Sequence, residues 1–217
     1  MRQSTRLAIV VACLLASSAA ALYEAQTVPT MVTTTNAFLA SLTPEQREQA
    51  TFDFGDEERL NWHFIPRERQ GLSIKQMEPF QREMGLAMLL SGLSQGGFIK
   101  ATTIMSLEQV LFEQENGRPM RDEELYFFSV FGSPGGEAPW GWRVEGHHLS
   151  LNFSSIHGLV VSTPMFFGAN PAEIRTGPKA GLRVLGREEN IARRLVQSLD
   201  ASQRQRAVIA VEAPSDV

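Results

Sequence analysis

One stretch of the chain, residues 140–152, concentrates the side chains whose types and spacing could do chemistry. It reads Trp-Gly-Trp-Arg-Val-Glu-Gly-His-His-Leu-Ser-Leu-Asn and holds two of the four histidines and two of the three tryptophans. Imidazole nitrogens and carboxylate oxygens can ligate a transition metal such as zinc, copper or iron. The candidate catalytic residues are Glu145, His147 and His148, and the same three with His63 are the candidate metal ligands. In such a site the histidines would hold the ion, and Glu145 would ligate it or move a proton.

A metal-free use of the same stretch is nucleophilic catalysis. Glu145 could orient a histidine that acts as general base, with Ser150 or Ser154 as the nucleophile. Neither Ser150 nor Ser154 lies in the Gly-x-Ser-x-Gly motif that places the nucleophile in many hydrolases. The chemistry is therefore left open between these two classes.

Ligand binding without catalysis is a further use, because aromatic side chains form flat surfaces for small molecules. Trp62, Trp140 and Trp142 could form a platform for a sugar, a peptide or another small molecule, with Arg143 and Asn152 as polar anchors. The simplest interpretation is structural: the histidines are hydrogen-bonded strand residues and the tryptophans belong to the core.

The alternation of apolar and polar residues changes at Gly146. Before it the even positions are apolar (Trp140, Trp142, Val144), and after it the apolar residues are at odd positions (Leu149, Leu151, Phe153). In one continuous strand, an extra residue at a glycine would produce this change. The sequence therefore predicts a β-bulge at Gly146, with Glu145 and a histidine on the same side.

The elements that must position these residues follow from caps and periodicity. Capping boxes predict helices from Pro44 to about Phe52 and after Asp200, and an amphipathic pattern predicts one over Arg187–Leu199. Two more helices are predicted. One is an apolar central helix, buried on both sides, between Ser73 and Ser94, which stops at Gly96-Gly97, and the other starts at a capping box of Ser106 with Gln109 and ends at Asn116-Gly117. Strands are predicted within Leu125–Phe131, Trp140–Phe153 and Leu159–Thr163. The predicted fold is α+β: an antiparallel sheet of three or more strands flanked by about five helices, in a single domain over residues 37–217.

The N-terminus has the layout of a secretory signal peptide. Residues 1–21 combine Arg2 and Arg6, an uncharged apolar run and small residues, and residues 22–36 are predicted to be a flexible lead-in. We therefore expect an exported protein, periplasmic or extracellular, with no stable membrane span after signal cleavage. Cys13 is the only cysteine, so the mature chain would have no disulfide, thiolate nucleophile or cysteine ligand.

Charge argues against nucleic acid as a partner. The whole chain carries 20 basic and 24 acidic residues, a net charge of −4. Removal of residues 1–21 takes away Arg2 and Arg6, which makes the balance more negative still. Phosphate backbones require a basic surface, which this composition does not favour.

Several short motifs follow one another along the chain: Trp62-His-Phe-Ile-Pro66 with Arg69 and Gly71, Leu93-Ser94 with Gly97-Phe98, Pro139-Trp140, Gly146-His-His-Leu149 with Asn152, and Pro164 through Phe167-Gly-Ala-Asn-Pro171. In this order they resemble the domain of unknown function 3500 family. The resemblance covers roughly Phe38 to the C-terminus and implies an exported bacterial protein, without implying an activity. Family members are often longer at the C-terminus, which implies that a final segment could be missing here.

Taken together, the residues favour a metal-assisted enzyme, hydrolytic or oxidative, that uses Glu145, His147 and His148. The alternative is a non-catalytic secreted domain that binds a ligand or has a structural role.

Overall fold

A computed structural model describes residues 28–212, which contain six α-helices and a seven-stranded sheet. The helices are α1 (28–41), α2 (Pro44–Ala50), α3 (Pro79–Ser91), α4 (Gln95–Gln114), α5 (Gly186–Ser198) and α6 (Ala201–Ala207). The strands are β1 (Thr51–Phe52), β2 (Leu72–Ser73), β3 (Phe127–Phe131), β4 (Trp140–Gly146), β5 (Leu149–Ile156), β6 (Leu159–Val161) and β7 (Met165–Phe167). The α+β class is as predicted, whereas the predicted signal peptide, residues 1–21, lies outside the described residues.

The sheet is mixed, so the prediction of a purely antiparallel sheet was wrong. Its strands follow the order β1-β3-β4-β5-β6, with β2 also beside β3 and β7 also beside β5. β1 runs parallel to β3, with Thr51 opposite Val130, and every other pair is antiparallel. A parallel pair needs a long connection, here residues 53–126 with α3 and α4. A two-residue strand is too short to show an alternating pattern in the sequence.

No bulge occurs at Gly146; the chain instead turns back there. β4 and β5 pair without interruption from Trp140 opposite Ser155 to Gly146 opposite Leu149. Only His147 and His148 lie in the turn, and His148 adopts a positive φ of 58°. Residues directly opposite each other have their side chains on the same face of the sheet. The even positions of β4 therefore share a face with the odd positions of β5, as Trp142 does with Phe153. The hairpin therefore explains the change of alternation that had suggested a bulge.

The apolar face of this hairpin forms the core with α3 and α4. Trp142 lies opposite Phe153 with ring centroids 4.3 Å apart, and both side chains are buried. Gly92, the residue that ends α3, lies against these two rings: a Cβ there would be 2.7 Å from Trp142 and 2.8 Å from Phe153. The end of α3 is thus in direct contact with the sheet.

Two helix boundaries differ from the prediction. Gly96 and Gly97 do not stop a helix; they lie in the first turn of α4, where Gly97 N donates to the side-chain oxygen of Ser94 (3.1 Å). α4 thus begins well before Ser106, because the Ser94 cap precedes the glycines. The capping box predicted at Ser106 was wrong: Ser106 lies inside α4, and its hydroxyl donates to the Thr103 carbonyl (2.9 Å). α3 is also not buried all round, since Phe80 and Leu90 are 60% and 44% exposed.

The other helix predictions agree with the structure. The other two predicted capping boxes are formed, at Thr43 with Gln46 and at Asp200 with Gln203. The amphipathic pattern over Arg187–Leu199 corresponds to α5.

Residues 28–36, predicted to be flexible, belong to α1. Met31, Phe38 and Leu39 are buried at helical spacing, so packing of one face stabilises a threonine-rich helix. The threonine hydroxyls of Thr33 and Thr34 donate to carbonyls four residues earlier.

The described residues divide into two compact units, the first ending at Asn170 and the second beginning at Pro171. The sheet and helices α1–α4 belong to the first unit, and α5 and α6 to the second. Among residues 28–212, no helix combines the length and the apolar character that crossing a bilayer requires.

Replacement of Gly92 by alanine tests the contact between α3 and the sheet. The added methyl group has no space beside Trp142 and Phe153, so we expect Gly92→Ala to lose about 1–3 kcal/mol of unfolding free energy. Urea unfolding measures this change.

The matched control is Gly96→Ala, where nothing lies within 4 Å of the added methyl group and the backbone is helical. That variant should be neutral or up to about 1 kcal/mol more stable, because alanine favours helices. Equal losses of unfolding free energy in the two variants would contradict the close contact of Gly92 with Trp142 and Phe153.

Candidate functional site

The turn between β4 and β5 is fixed by backbone contacts on three sides. Tyr126 donates its hydroxyl to the carbonyl of His147 (2.8 Å). His148 N donates to the carbonyl of Phe64 (2.8 Å), and Gly168 N donates to the carbonyl of His148 (2.7 Å). Gly146 packs directly against the Tyr126 ring, where a Cβ would clash. The two histidines are therefore held in place by their own backbone, whatever their side chains do.

The His147 ring forms a buried pair with Glu108 of α4. Nδ1 of His147 is hydrogen-bonded to Oε1 of Glu108, and the two side chains are only 9% and 3% exposed. The other carboxylate oxygen, Oε2, is buried and has no hydrogen-bond partner. This arrangement of a carboxylate on one ring nitrogen is the one that orients a catalytic histidine.

Arg121 completes this group of charges. Its Nη1 lies 3.9 Å from Glu108 Oε2, and it lies 3.1 Å from Nδ1 and 3.5 Å from Nε2 of His147. Two further nitrogens of the same guanidinium, Nη2 and Nε, bind the two oxygens of Glu115 at 2.9 and 3.1 Å. A guanidinium held in this way has little freedom to move, so its charge stays beside the Glu108–His147 pair.

Glu108 and His147 line a cavity of about 380 Å³, which we call the His147 cavity. Its apolar walls come from Pro66, Met120, Leu125, Tyr126 and Phe127. The remaining lining residues are charged: Arg67, Glu68, Arg69 and Asp122. A small, mostly apolar pocket with a few polar groups is the usual form of a ligand site.

Glu145 belongs to a different buried group, on the face of the sheet away from the tryptophans. Its Oε2 accepts from the backbone N–H of His63 (2.8 Å), and its Oε1 lies 3.2 Å from Arg143 Nε and 3.8 Å from Arg69 Nε. Arg143 in turn forms an ion pair with Glu58. Burial raises the pKa of Glu145, and the charge of Arg143 only partly opposes that rise. These ion pairs attach the segment 58–69 to the sheet.

The predicted metal ligands have separate partners in the structure. Glu145 contacts two arginines, His147 contacts Glu108, and the ring of His63 contacts Asn61 and Arg67. The His148 ring lies beside that of His147, with centroids 4.1 Å apart. Across residues 28–212, no three His, Cys, Asp or Glu side chains are grouped as metal ligands. Metal binding at these residues stays a prediction.

The predicted tryptophan platform is not formed. Trp140 and Trp142 are buried in the core beside the helices, whereas Trp62 is half-buried near Phe64, with ring centroids 6.3 Å apart. The cause is the hairpin register, which places both strand tryptophans on the helix-covered face.

The predicted polar anchors, Arg143 and Asn152, also bind other groups of the protein. Arg143 is bound to Glu58, and Asn152 donates to the Pro164 carbonyl (2.9 Å) and to the hydroxyl of Ser150 (3.2 Å). Ser150, one of the two candidate nucleophiles, is fully buried and lies opposite Glu145 in the strand pair.

Several residues of the site were not predicted from the sequence. They are Glu58, Arg69, Glu108, Arg121 and Tyr126. One signal was available for Glu108, which lies between Ile104 and Leu111 on the buried stripe of α4. A carboxylate on an apolar helix face must find a partner, which makes it a candidate site residue. Glu58, in contrast, is the last of three successive acidic residues, a pattern typical of an exposed segment, and yet its side chain is buried.

Comparison with known proteins gives a family but no function. A family model described as "Protein of unknown function (DUF3500)" matches residues 24–217, which is most of the chain. The chain belongs to the DUF3500 family. Searches of curated proteins and of solved structures each gave no match. The DUF3500 motif Gly146-His-His-Leu149 is the β4–β5 turn, so the resemblance and the geometry point to the same place.

The pH dependence of stability tests the placement of His148 in this turn. Burial, followed by the charges of His147 and Arg121, lowers the pKa of His148 from 6.5 to about 4. Between pH 6.5 and 4 the unfolded chain gains a proton at His148 that the folded chain does not, so stability falls as the pH decreases through this range. We expect a loss of about 1–3 kcal/mol, since the ring is partly exposed.

The variant His148→Asn removes this titration while keeping a residue that tolerates positive φ. Urea unfolding at several pH values should show a smaller loss between pH 6.5 and 4 than in the wild type. His157→Asn is the control, because His157 is an exposed turn residue with a φ of 51°. Parallel curves for the wild type and His148→Asn would count against this placement. The raised pKa of Glu145 acts in the opposite direction, equally in all three proteins.

Proposed function

We propose that this protein is a hydrolytic enzyme in which His147, oriented by Glu108, acts as general base on a small molecule in the His147 cavity. One observation carries the proposal: the buried carboxylate of Glu108 is hydrogen-bonded to Nδ1 of His147, and both residues line a concave, largely apolar cavity. Of the candidate residues, His147 is the one that combines an orienting partner with access to a cavity.

The hydrogen bond to Glu108 selects the form of the imidazole. When Oε1 accepts a hydrogen bond from Nδ1–H, the lone pair is on Nε2, which can then take a proton from water. The hydroxide formed adds to the carbonyl carbon of the substrate, and the proton passes from Nε2 to the leaving group as the bond to it breaks. Glu108 stays ionised throughout and stabilises the imidazolium, as in other carboxylate–histidine pairs.

The lining of the cavity indicates the class of substrate. Met120, Leu125 and Phe127 favour an apolar body, which a volume of about 380 Å³ limits to a small molecule. Glu108 Oε2 is buried, lies 3.9 Å from Arg121 Nη1 and accepts no hydrogen bond, so a hydroxyl or N–H group on the ligand would stabilise it. We therefore infer a small apolar ester or amide that also carries a hydrogen-bond donor.

A non-catalytic binding protein is the second candidate, favoured by the same apolar walls. In that case His147 and Glu108 would only contact the ligand, and ligand would be bound without turnover. The metal-assisted mechanism with Glu145, His147, His148 and His63 is a separate hypothesis. It is tested by metal analysis of protein purified without an affinity tag.

Hydrolysis of p-nitrophenyl acetate, p-nitrophenyl butyrate and p-nitrophenyl 3-hydroxybutyrate, the last of which carries a hydroxyl donor, tests the catalytic proposal. We expect wild-type protein to release nitrophenolate faster than buffer, and His147→Gln to lower that rate by about 10²-fold or more, because the general base is lost. Glu108→Gln should lower it by about tenfold or more, since the amide no longer fixes the imidazole tautomer. The rates are measured before and after dialysis against EDTA.

The control is His157→Gln, which removes an exposed histidine from the other hairpin turn and should keep the wild-type rate. Circular dichroism confirms that each variant is folded. Equal rates for wild type and folded His147→Gln, or no acceleration by wild type, would contradict the proposal. Loss of activity with EDTA and recovery with zinc would favour the metal-assisted mechanism instead.

A further inference from the structure

The second unit contains a cleft lined by arginines that has no role in the proposed hydrolysis. This cleft, about 870 Å³ in volume, lies between the loop 181–183 and one face of α5. Its charged lining residues are Arg183, Arg187, Arg193 and Arg194, with Asn190 among them. We call it the arginine cleft.

Two of the four arginines share one carboxylate, and this fixes the shape of the cleft. Glu189 accepts from Arg183 through Oε2 and from Arg193 through Oε1, the latter at 2.7 Å. Arg183 also donates to the side-chain oxygen of Asn190 (3.1 Å). The loop is thus attached to the helix by charge-assisted hydrogen bonds, which are stronger than neutral ones.

The other two arginines, Arg187 and Arg194, differ from this pair because, in the part of the chain that the structure describes, neither forms an ion pair with a carboxylate. Both line the cleft. Residues seven apart lie on the same side of a helix, about 10 Å apart along its axis, and Asn190 lies between them. The three nearby carboxylates, Glu173, Glu188 and Glu189, are outnumbered by the four guanidinium groups, so the cleft has a small excess of positive charge.

Guanidinium groups bind phosphate and sulfate in a bidentate manner, and an anion between two arginines also relieves their mutual repulsion. The net charge of the chain is −4, which disfavours a long polyanion such as nucleic acid and favours a small one. We propose that the arginine cleft binds a small molecule that carries phosphate or sulfate groups, with Arg187 and Arg194 as the residues that contact the anion. The site is independent of the His147 cavity.

Calorimetric titration of the full chain with inorganic pyrophosphate tests this site. The probe carries two linked phosphate groups, so both unpaired arginines can contact it. We expect the double variant Arg187→Gln/Arg194→Gln to bind pyrophosphate at least about tenfold more weakly than wild type. No side chain of α5 is buried, so these substitutions should leave the fold intact, which circular dichroism verifies.

The matched control is Arg175→Gln/Arg206→Gln, which removes the same charge from two exposed arginines that do not line the cleft. It should bind pyrophosphate as the wild type does. Equal weakening in the two double variants would show non-specific attraction and overturn the proposal, as would wild-type binding too weak to detect at about 10 mM. Parallel titrations with orthophosphate and with sulfate distinguish a phosphorylated from a sulfated ligand by which binds more tightly.

Discussion

The register of the β4–β5 hairpin decides which side chains meet in the first unit. Because only two residues form the turn, Gly146 is opposite Leu149, and the odd positions of β4 share a face with the even positions of β5. One face, with Trp142 and Phe153, forms the core with α3 and α4, and the other face carries Arg143 and Glu145. A register shift of one residue would exchange the two faces and place two charged side chains in the apolar core, which is why the pairing is so strongly determined.

The same turn separates two groups of buried charges. Charged side chains are costly to bury unless each has a partner of opposite sign, and both groups satisfy this requirement. The group around Glu145 attaches the segment 58–69, which has no helix or strand beyond a short 3-10 turn, to the sheet through Glu58 and Arg69. The group around Glu108 lines the cavity through Glu108 and His147, whereas the group around Glu145 reaches it only through Arg69.

Local features of the structure could be predicted from the sequence, and long-range ones could not. The capping boxes at Thr43 and Asp200 depend on residues three apart, and both are formed as predicted. The pairing of β1 with β3 joins segments that are far apart in the sequence, and a two-residue strand carries no periodic signal. The change of alternation at Gly146 was a true signal with two explanations, and only the backbone shows that a turn, rather than a bulge, is the cause.

The same difference between local and long-range features applies to the candidate site. Its rare residues pointed to His147, but its partner Glu108 is 39 residues away on a helix, and only packing brings the two together. Glu145, although close to His147 in sequence, is committed to arginines on the sheet, so proximity along the chain was a poor guide to which carboxylate orients the histidine.

The state of the His147 ring tests this account most directly, since it requires no substrate. Two-bond proton–nitrogen correlation spectra of protein labelled with ¹⁵N-histidine, recorded at about pH 8, report which ring nitrogen carries the proton. The Glu108 hydrogen bond predicts the proton on Nδ1 of His147 in the wild type and a changed spectrum in Glu108→Gln. A proton on Nε2 in the wild type, or identical His147 signals in the two proteins, would contradict the orientation of His147 by Glu108.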